Sequence, residues 1–434
     1  MSLLHRLKTS SIARDTSHLA IGQGLRLVIQ AAYFILIARV LGPDKYGAFV
    51  AVVALAGILS PFSGLGTNNL FVKNVRSGKR DARLCWGNGL VATLVSGAAF
   101  SGLVITINHL FHLRMPFFLV LAVCVSDLLL LRVIELASFG FGAMDRMKEN
   151  AIQSVTGSLP RLIAIGLLSV GWRTVTLQRW ASAYLIASAI STLYALHRAH
   201  RLWGAPSFNW PSLREDVAEG VYFSIGTSAA TIYNDIDKVM LGKVSFAAAG
   251  IYAAAYRIID VSMTPVRSLA SAAYPHFFRK GVDGMQSAHA YASTQIKRAC
   301  VYSGALFVAL WLSAPLLPLV LGPNYVQTAL ALRWLALLPL LRSMHVFLAD
   351  SLSGAGFQGL RSAIQVAIAL FNIALNLAIL PRYGWLGAAW TSLASDGLLV
   401  LTLWFAIRYK RRTAVQSTSR SEPAADEIAL FSLR

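Results

Sequence analysis

Six arginines interrupt stretches of chain that are otherwise apolar: Arg26, Arg132, Arg161, Arg257, Arg267 and Arg342. An arginine at mid-membrane costs at least ~3 kcal/mol even on lenient insertion scales, so it needs a partner or water. Glu135 lies three residues after Arg132 and Asp260 three after Arg257, a spacing that puts each pair on one helical face. Arg26, Arg161, Arg267 and Arg342 have no opposite charge three or four residues away. Guanidinium is a planar fork that can hold phosphate by two parallel hydrogen bonds. Arginines on several different runs are therefore expected to line a water-filled cationic cavity that receives an anion, with Arg26, Arg161, Arg267 and Arg342 as its core and Arg257 beside them.

Polar residues recur at helical spacing in the same runs. The stripes are Gln23, Arg26, Gln30; Ser154, Ser158, Arg161; Ser224, Ser228, Thr231, Asp235; Tyr256, Asp260, Thr264, Arg267; and Arg361, Gln365, Asn372, Asn376. Lipid cannot satisfy such groups, so the stripes face protein or water. Gln23, Gln30, Ser228, Thr231, Tyr256, Asn372 and Asn376 are candidates for the cavity wall, the alternative being hydrogen bonds between packed helices. Asp127 and Asp396 lie deep in apolar runs. They either pair with the arginines across helices or bind a coupling proton or cation, and Asp260 is a third candidate for ion coupling.

Enzymatic chemistry finds little here. The histidines at 109/112 and 197/200 have a metal-like step but no cysteine or carboxylate beside them. Cys85, Cys124 and Cys300 share no metal-ligand spacing and are expected to be buried and reduced. No phosphate-cradling glycine loop of the nucleotide-binding kinds is present, so ATP is not expected to bind and no cofactor is expected.

The elements that would carry these residues follow from composition. The 434 residues are 56% hydrophobic and only 13% charged, with mean hydropathy +0.59, too apolar for a water-covered surface. A span needs ~20 apolar residues. The sequence predicts twelve spans, near 19–41, 46–67, 84–107, 117–136, 151–171, 177–198, 217–241, 247–270, 297–321, 330–350, 362–381 and 385–407. With the N-terminus in the cytoplasm, 24 of the 39 Lys and Arg fall in inside segments and 9 in outside turns, the bias expected of cytoplasmic loops. The net charge of +20 thus implies no nucleic-acid partner. The expected layout is an interfacial lead-in at 1–16, six helices in 17–200, a cytoplasmic linker at 201–216, six helices in 217–409 and a disordered cytoplasmic tail at 410–434.

Two echoes suggest that the halves repeat. RVLGPDKYGAF (Arg39–Phe49) and KVMLGKVSFAAAGIY (Lys238–Tyr252) each place Leu-Gly and then Gly beside an aromatic residue, at the turn after the first helix of a half. VGWRTV (Val170–Val175) and YGWLGA (Tyr383–Ala388) both place Gly-Trp at an outside turn. Parallel six-helix halves imply a pseudo-twofold axis along the membrane normal, a design that recurs in transporters.

Three segments resemble polysaccharide flippases of the multidrug/oligosaccharidyl-lipid/polysaccharide (MOP) exporter superfamily, which include the Wzx-type O-antigen transporters. They are LIARVLGPDKYGAFVAVVALAGILSPFSGLGTNNLFVK (Leu36–Lys73), NDIDKVMLGKVSFAAAGIYAAAYRIID (Asn234–Asp260) and NIALNLAILPRYGWLGAAWTSLASD (Asn372–Asp396). The resemblance implies an all-α polytopic protein with two six-helix lobes in a V, both termini cytoplasmic, in a bacterial inner membrane. It implies no enzyme but a flippase that exports a polyprenyl-pyrophosphate-linked oligosaccharide by alternating access. The central cavity would hold sugar and pyrophosphate while the lipid tail stays among membrane lipids. Coupling to an H+ or Na+ gradient or to the membrane potential is implied, with the ion left open, and a polysaccharide polymerase or other assembly proteins are the implied partners. Two competing readings are a multidrug or cation antiporter of the same superfamily and a non-transporting scaffold for glycan assembly.

Overall fold

The computed structural model describes residues 11–421, and within them every regular element is helical. In chain order these are α1 (Ser11–Leu59), α2 (Thr67–Arg76), α3 (Ala82–Leu110), α4 (Phe117–Cys124), a π-turn (Val125–Leu130), α5 (Leu131–Ala143), α6 (Met147–Thr156), α7 (Leu159–Gly171), α8 (Leu177–Trp203), α9 (Trp210–Val244) and α10 (Phe246–Ser262). Then follow α11 (Thr264–Gly281), α12 (Met285–Ser313), α13 (Leu317–Leu321), α14 (Val326–Leu335), α15 (Leu338–Gly354) and α16 (Gln358–Ser421). Among the described residues, six helical segments are long and apolar enough to cross a membrane, or seven if α14 and α15, bent by 41°, form one span. Large apolar side chains such as Val95, Leu167, Val170, Val301 and Leu370 are exposed on them. With lipid as their solvent this surface is explained, and the chain is a multi-pass membrane protein.

Most residues of the twelve expected spans fall on helix, but several spans are broken, that at 46–67 by a turn at 63–66, and prolines mark three other breaks. Pro160, Pro265 and Pro339 each occupy the first turn of a new helix. A proline supplies no N–H and disfavours helix in the residue before it, so the helix ends and restarts there. Thus the span at 151–171 is α6 plus α7, that at 247–270 is α10 plus part of α11, and that at 330–350 is α14 plus α15. In the other direction, α1 and α16 each merge two expected spans across one glycine with non-helical torsions, Gly42 and Gly384. The tail expected to be disordered is helical from 410 to Ser421, where its run of Arg, Ala, Val and Gln is compatible with helix. The rest of that tail, 422–434, and most of the lead-in, 1–10, lie outside the described residues.

The chain forms two compact units. The first runs to Ala253 and takes in Pro318–Tyr325, so it extends past the expected linker and through α9. Its polar ties explain this. Asn209 caps α9 by accepting from the Ser212 N–H at 3.0 Å. Asn74 donates to Asp216 at 2.9 Å, and Arg80 meets Asp216 at 2.5 Å and Glu215 at 2.6 Å. The two echoed turns also meet within this unit. A Cβ on Gly47 would stand 1.7 Å from the Phe246 carbonyl oxygen, and one on Gly250 would stand 2.0 Å from that of Pro43. Only glycine permits backbones this close. The core of the unit gathers around Trp203, with Phe71, Trp86 and Phe141 rings at 5.4, 5.1 and 5.3 Å.

The second unit comprises Ala254–Leu317 and the chain from Val326 onward. Here α11 and α15 approach through glycine again: a Cβ on Gly354 would lie 2.4 Å from the Phe277 carbonyl oxygen. The two arms of α16 are tied across the Gly384 kink. Asn372 donates to Ser395 at 2.9 Å, Asn376 to Asn372 at 2.9 Å, and Thr391 to Asn376 at 2.6 Å.

Candidate functional site

Besides the Arg80–Asp216 and Arg361–Asp350 pairs, each unit holds an arginine–carboxylate centre built on the arginines singled out in the sequence. In the first, the π-turn is the positioning device. A π-turn shifts the hydrogen-bond register and leaves carbonyls to be satisfied from outside. Ser63 donates to the Leu128 carbonyl, and Thr192 donates to the Leu130 carbonyl at 3.0 Å. Gly97 lets α3 come close: a Cβ there would sit 2.5 Å from the same Leu128 oxygen. The turn carries Asp127, which is 7% exposed. Tyr184 on α8 donates its hydroxyl to Asp127 at 2.7 Å, and Arg161 on α7 lies 3.9 Å from the same oxygen. The guanidinium stacks 4.4 Å over the Tyr184 ring and donates to Ser188 at 3.2 Å. Its buried Nε has no hydrogen-bond partner among the described residues.

In the second unit Arg342 on α15 is the hub. Its Nε donates to Asp396 at 3.1 Å, a terminal nitrogen donates to the Tyr256 hydroxyl, and the guanidinium lies 5.0 Å over the Tyr256 ring. Asp260 is the outer neighbour, 4.0 Å from Arg342 and 3.5 Å from Arg267. Arg267 also donates to the Asp260 backbone carbonyl. Asp396 is 1% exposed and has His345 at 3.7 Å on its other oxygen. Burial is therefore graded: Asp396 and Arg342 are enclosed, whereas the Asp260 and Arg267 side chains are 36% and 56% exposed.

Arg161, Arg267 and Arg342, with no opposite charge three or four residues away, do meet carboxylates, and for Arg161 and Arg342 these are Asp127 and Asp396, the cross-helix pairing that the sequence left open. Their partners are distant in sequence or two helical turns away, where a test at three and four residues cannot find them. Arg257 is half-buried and makes no ion pair among the described residues, because Asp260 turns to Arg267 and Arg342 instead. Arg132 does pair with Glu135, at 2.5 Å. Gln23 and Arg26 are exposed on α1 and Gln30 is half-buried. Ser228 is buried and donates to the Ile58 carbonyl at 2.8 Å, which is helix packing, and Thr231 is half-buried. Asn372 and Asn376 are buried, and their amides are bonded in the α16 tie. Cys85 and Cys124 are free and buried, while Cys300 is half-buried.

Four participants escaped the sequence reading. Tyr184 and Ser188 form a stripe on α8 with Ser191, spaced like the stripes that were recognised. His345 stands three residues after Arg342 on the same face. Asp237, 4% exposed, accepts from the Tyr252 hydroxyl near the echoed turn. No group of three or more metal-ligating side chains occurs among the described residues.

The comparisons with known proteins agree with one another. The family described as "Polysaccharide biosynthesis protein" matches residues 12–280, more than half of the chain. A protein of Escherichia coli (strain K12) named as an O-antigen transporter is 22% identical over 412 residues, covering 92% of this chain and 97% of that one. The fold is similar to that of an inward-facing multidrug resistance MATE family transporter of the MOP superfamily. The TM-score is 0.70 at 16% identity, over 89% of this chain and 96% of that one. It is equally similar to the lipid II flippase MurJ in an inward closed conformation, with TM-score 0.70 at 12% identity, over 90% of this chain and 87% of that one. The chain belongs to the polysaccharide biosynthesis protein family and has the fold of the MOP-superfamily transporters.

Proposed function

We infer that the protein is a flippase that carries a polyprenyl-pyrophosphate-linked oligosaccharide from the cytoplasmic to the outer leaflet of a bacterial inner membrane. It serves the assembly of O-antigen, capsule or exopolysaccharide. Transport proceeds by alternating access of two six-helix lobes in a twelve-span protein with both ends in the cytoplasm, driven by an H+ or Na+ gradient or the membrane potential. The family, the near full-length relative named for O-antigen transport and the flippase among the fold neighbours support this reading.

The observation that carries it is the graded centre around Arg342. A pyrophosphate presents the same anionic oxygens as two carboxylates. Asp260, the more exposed and more distant partner, is the one it can replace, gaining Arg267 and one face of Arg342. Asp396 keeps Arg342 in place during the exchange. Protonation of Asp260, or a cation bound to it, frees the same donors, which links anion entry to an ion gradient. Arg161 offers one further unused donor in the other unit.

Depleting the protein and identifying the lipid-linked glycan that accumulates on the cytoplasmic leaflet tests the reading, together with reconstitution of the purified protein in liposomes. Accumulation and reconstituted movement are expected. The buried acids Asp127 and Asp396 favour a second reading, a multidrug or cation antiporter. Drug resistance in an expressing strain with no glycan accumulation would establish that reading instead. Accumulation without reconstituted movement would indicate a scaffold.

A further inference from the structure

The apolar part of α16 ends in an aromatic belt of Trp404, Phe405 and Tyr409, which are 37%, 60% and 65% exposed. Four basic residues, Arg408, Lys410, Arg411 and Arg412, lie in and just beyond it. Tryptophan and tyrosine at such a transition sit at headgroup depth. Beneath the belt, between α16 and the first turns of α12, lies a cavity of about 810 Å³ lined by Gln286, His289, Trp404, Arg408, Arg411 and Arg412.

Its charge is one-sided. No carboxylate lines it among the described residues. The sequence of α12 contains no acidic residue, and neither does the chain between Asp396 and Glu422. The nearest acid in sequence, Asp283, stands ahead of α12. Two of the arginines are already oriented. Arg411 donates its Nε to Gln286 at 2.6 Å, leaving its terminal amino groups for another acceptor, and Arg408 stacks 5.1 Å over Trp404. The buried Nδ1 of His289 has no hydrogen-bond partner among the described residues. The buried arginines described above each have a carboxylate, whereas this trio faces a cavity with none.

We propose that this cavity binds the phosphate of an anionic membrane phospholipid, of the phosphatidylglycerol or cardiolipin class. Planar forks recognise phosphate oxygens by paired hydrogen bonds, and basic pockets between membrane helices bind anionic headgroups. A soluble phosphate would use the same donors but has no use for the belt. Exposed Leu401, Trp404 and Phe405 supply apolar contact for the acyl chains that a phospholipid brings. A bound lipid bridges α12 and α16 at this end of the second unit. The leaflet it comes from follows from the topology under the proposed function, but the chemistry of the site does not depend on it.

Native mass spectrometry of the full-length protein released from detergent tests this, with phosphatidylglycerol, cardiolipin and phosphatidylcholine as probes and inorganic pyrophosphate as competitor. The anionic lipids are expected to be retained and the neutral one lost. Arg408→Gln/Arg411→Gln should weaken retention about tenfold or more, the scale of one lost hydrogen bond to a charged group. Arg279→Gln/Lys280→Gln removes the same charge elsewhere and should leave retention unchanged. Equal retention of phosphatidylcholine, or equal loss in both double variants, would overturn the proposal. Displacement by pyrophosphate would overturn the lipid as the source and assign the site to a free or substrate phosphate. If the double variant misfolds, two measurements remain. Arg412→Gln alone should weaken retention about fivefold. Lipid extracted from the purified wild type should be enriched in anionic species over the host membrane. Absence of either effect would overturn the proposal.

Discussion

Removing the two partners of the Arg342–Asp396 pair one at a time should have unequal effects, and the inequality can be worked from the surroundings. Arg342→Gln takes from Asp396, which is 1% exposed, the guanidinium it accepts from at 3.1 Å, while His345 stands 3.7 Å from its other oxygen. Breaking a buried ion pair by removing one partner costs about 3–5 kcal/mol. Asp396→Asn strands Arg342, but Tyr256 and Asp260, 4.0 Å away, remain. That variant loses one hydrogen bond to a charged group, about 1.5–3 kcal/mol. The double variant strands neither, so it should be milder than the sum of the singles by about 1–3 kcal/mol. Equilibrium unfolding in mixed SDS micelles, followed by tryptophan fluorescence on the four proteins of the cycle, gives all three values. Equal costs for the two single variants, or additivity within about 0.5 kcal/mol, would refute the view that Arg342 is a hub with a reserve partner.

Four other outcomes are expected. Gly47→Val should abolish recovery of monodisperse protein on gel filtration, since its Cβ would lie 1.7 Å from a backbone oxygen, whereas Gly57→Ala, with nothing within 4 Å, should be tolerated. Ser63→Ala/Thr192→Val strips the donors from the π-turn carbonyls and should lower unfolding stability in the same micelle assay by about 1–3 kcal/mol for each stranded oxygen. Arg161→Lys should fail to restore surface polysaccharide in a depleted strain although it keeps the charge, because a lysine cannot both stack 4.4 Å over Tyr184 and reach Ser188; full complementation would show that charge alone suffices. In liposomes, Asp260→Asn should bind pyrophosphate-linked lipid more tightly and lose the dependence of transport on an imposed ion gradient; transport with unchanged gradient dependence would remove Asp260 from coupling.

Helix content and membrane residence were legible because both rest on local composition. Apolar runs of about the length of a bilayer leave few alternatives. Span boundaries were less legible. Pro160, Pro265 and Pro339 were visible, but whether a proline breaks a helix or merely kinks it depends on what satisfies the freed carbonyls. The echo between the stretches around Gly47 and Gly250 had a physical meaning that a single sequence cannot express: the two turns pack backbone to backbone, so each glycine is required by the other. The polar stripes told which faces avoid lipid but not what they meet. Asn372 and Asn376 meet the other arm of their own helix, while Tyr256, by the same periodicity, meets Arg342.

The arginines show why placing a charge within a membrane helix differs from giving it a role. Arg161 and Arg342 are enclosed, each with a carboxylate and a tyrosine. In a low dielectric such pairs are nearly neutral, so they attract a distant anion only weakly. Their chief contribution is geometric, for they hold donors in fixed orientation at the edge of each centre. Attraction falls to charges whose partner is exposed and exchangeable, and Arg267 with Asp260 fits that description. Where such a pair faces water it can open at small cost. The proposed flippase cycle therefore needs no free arginine at rest. It needs one carboxylate that yields to phosphate while another does not, and the contrast between Asp260 at 36% exposure and Asp396 at 1% supplies that difference within a single unit.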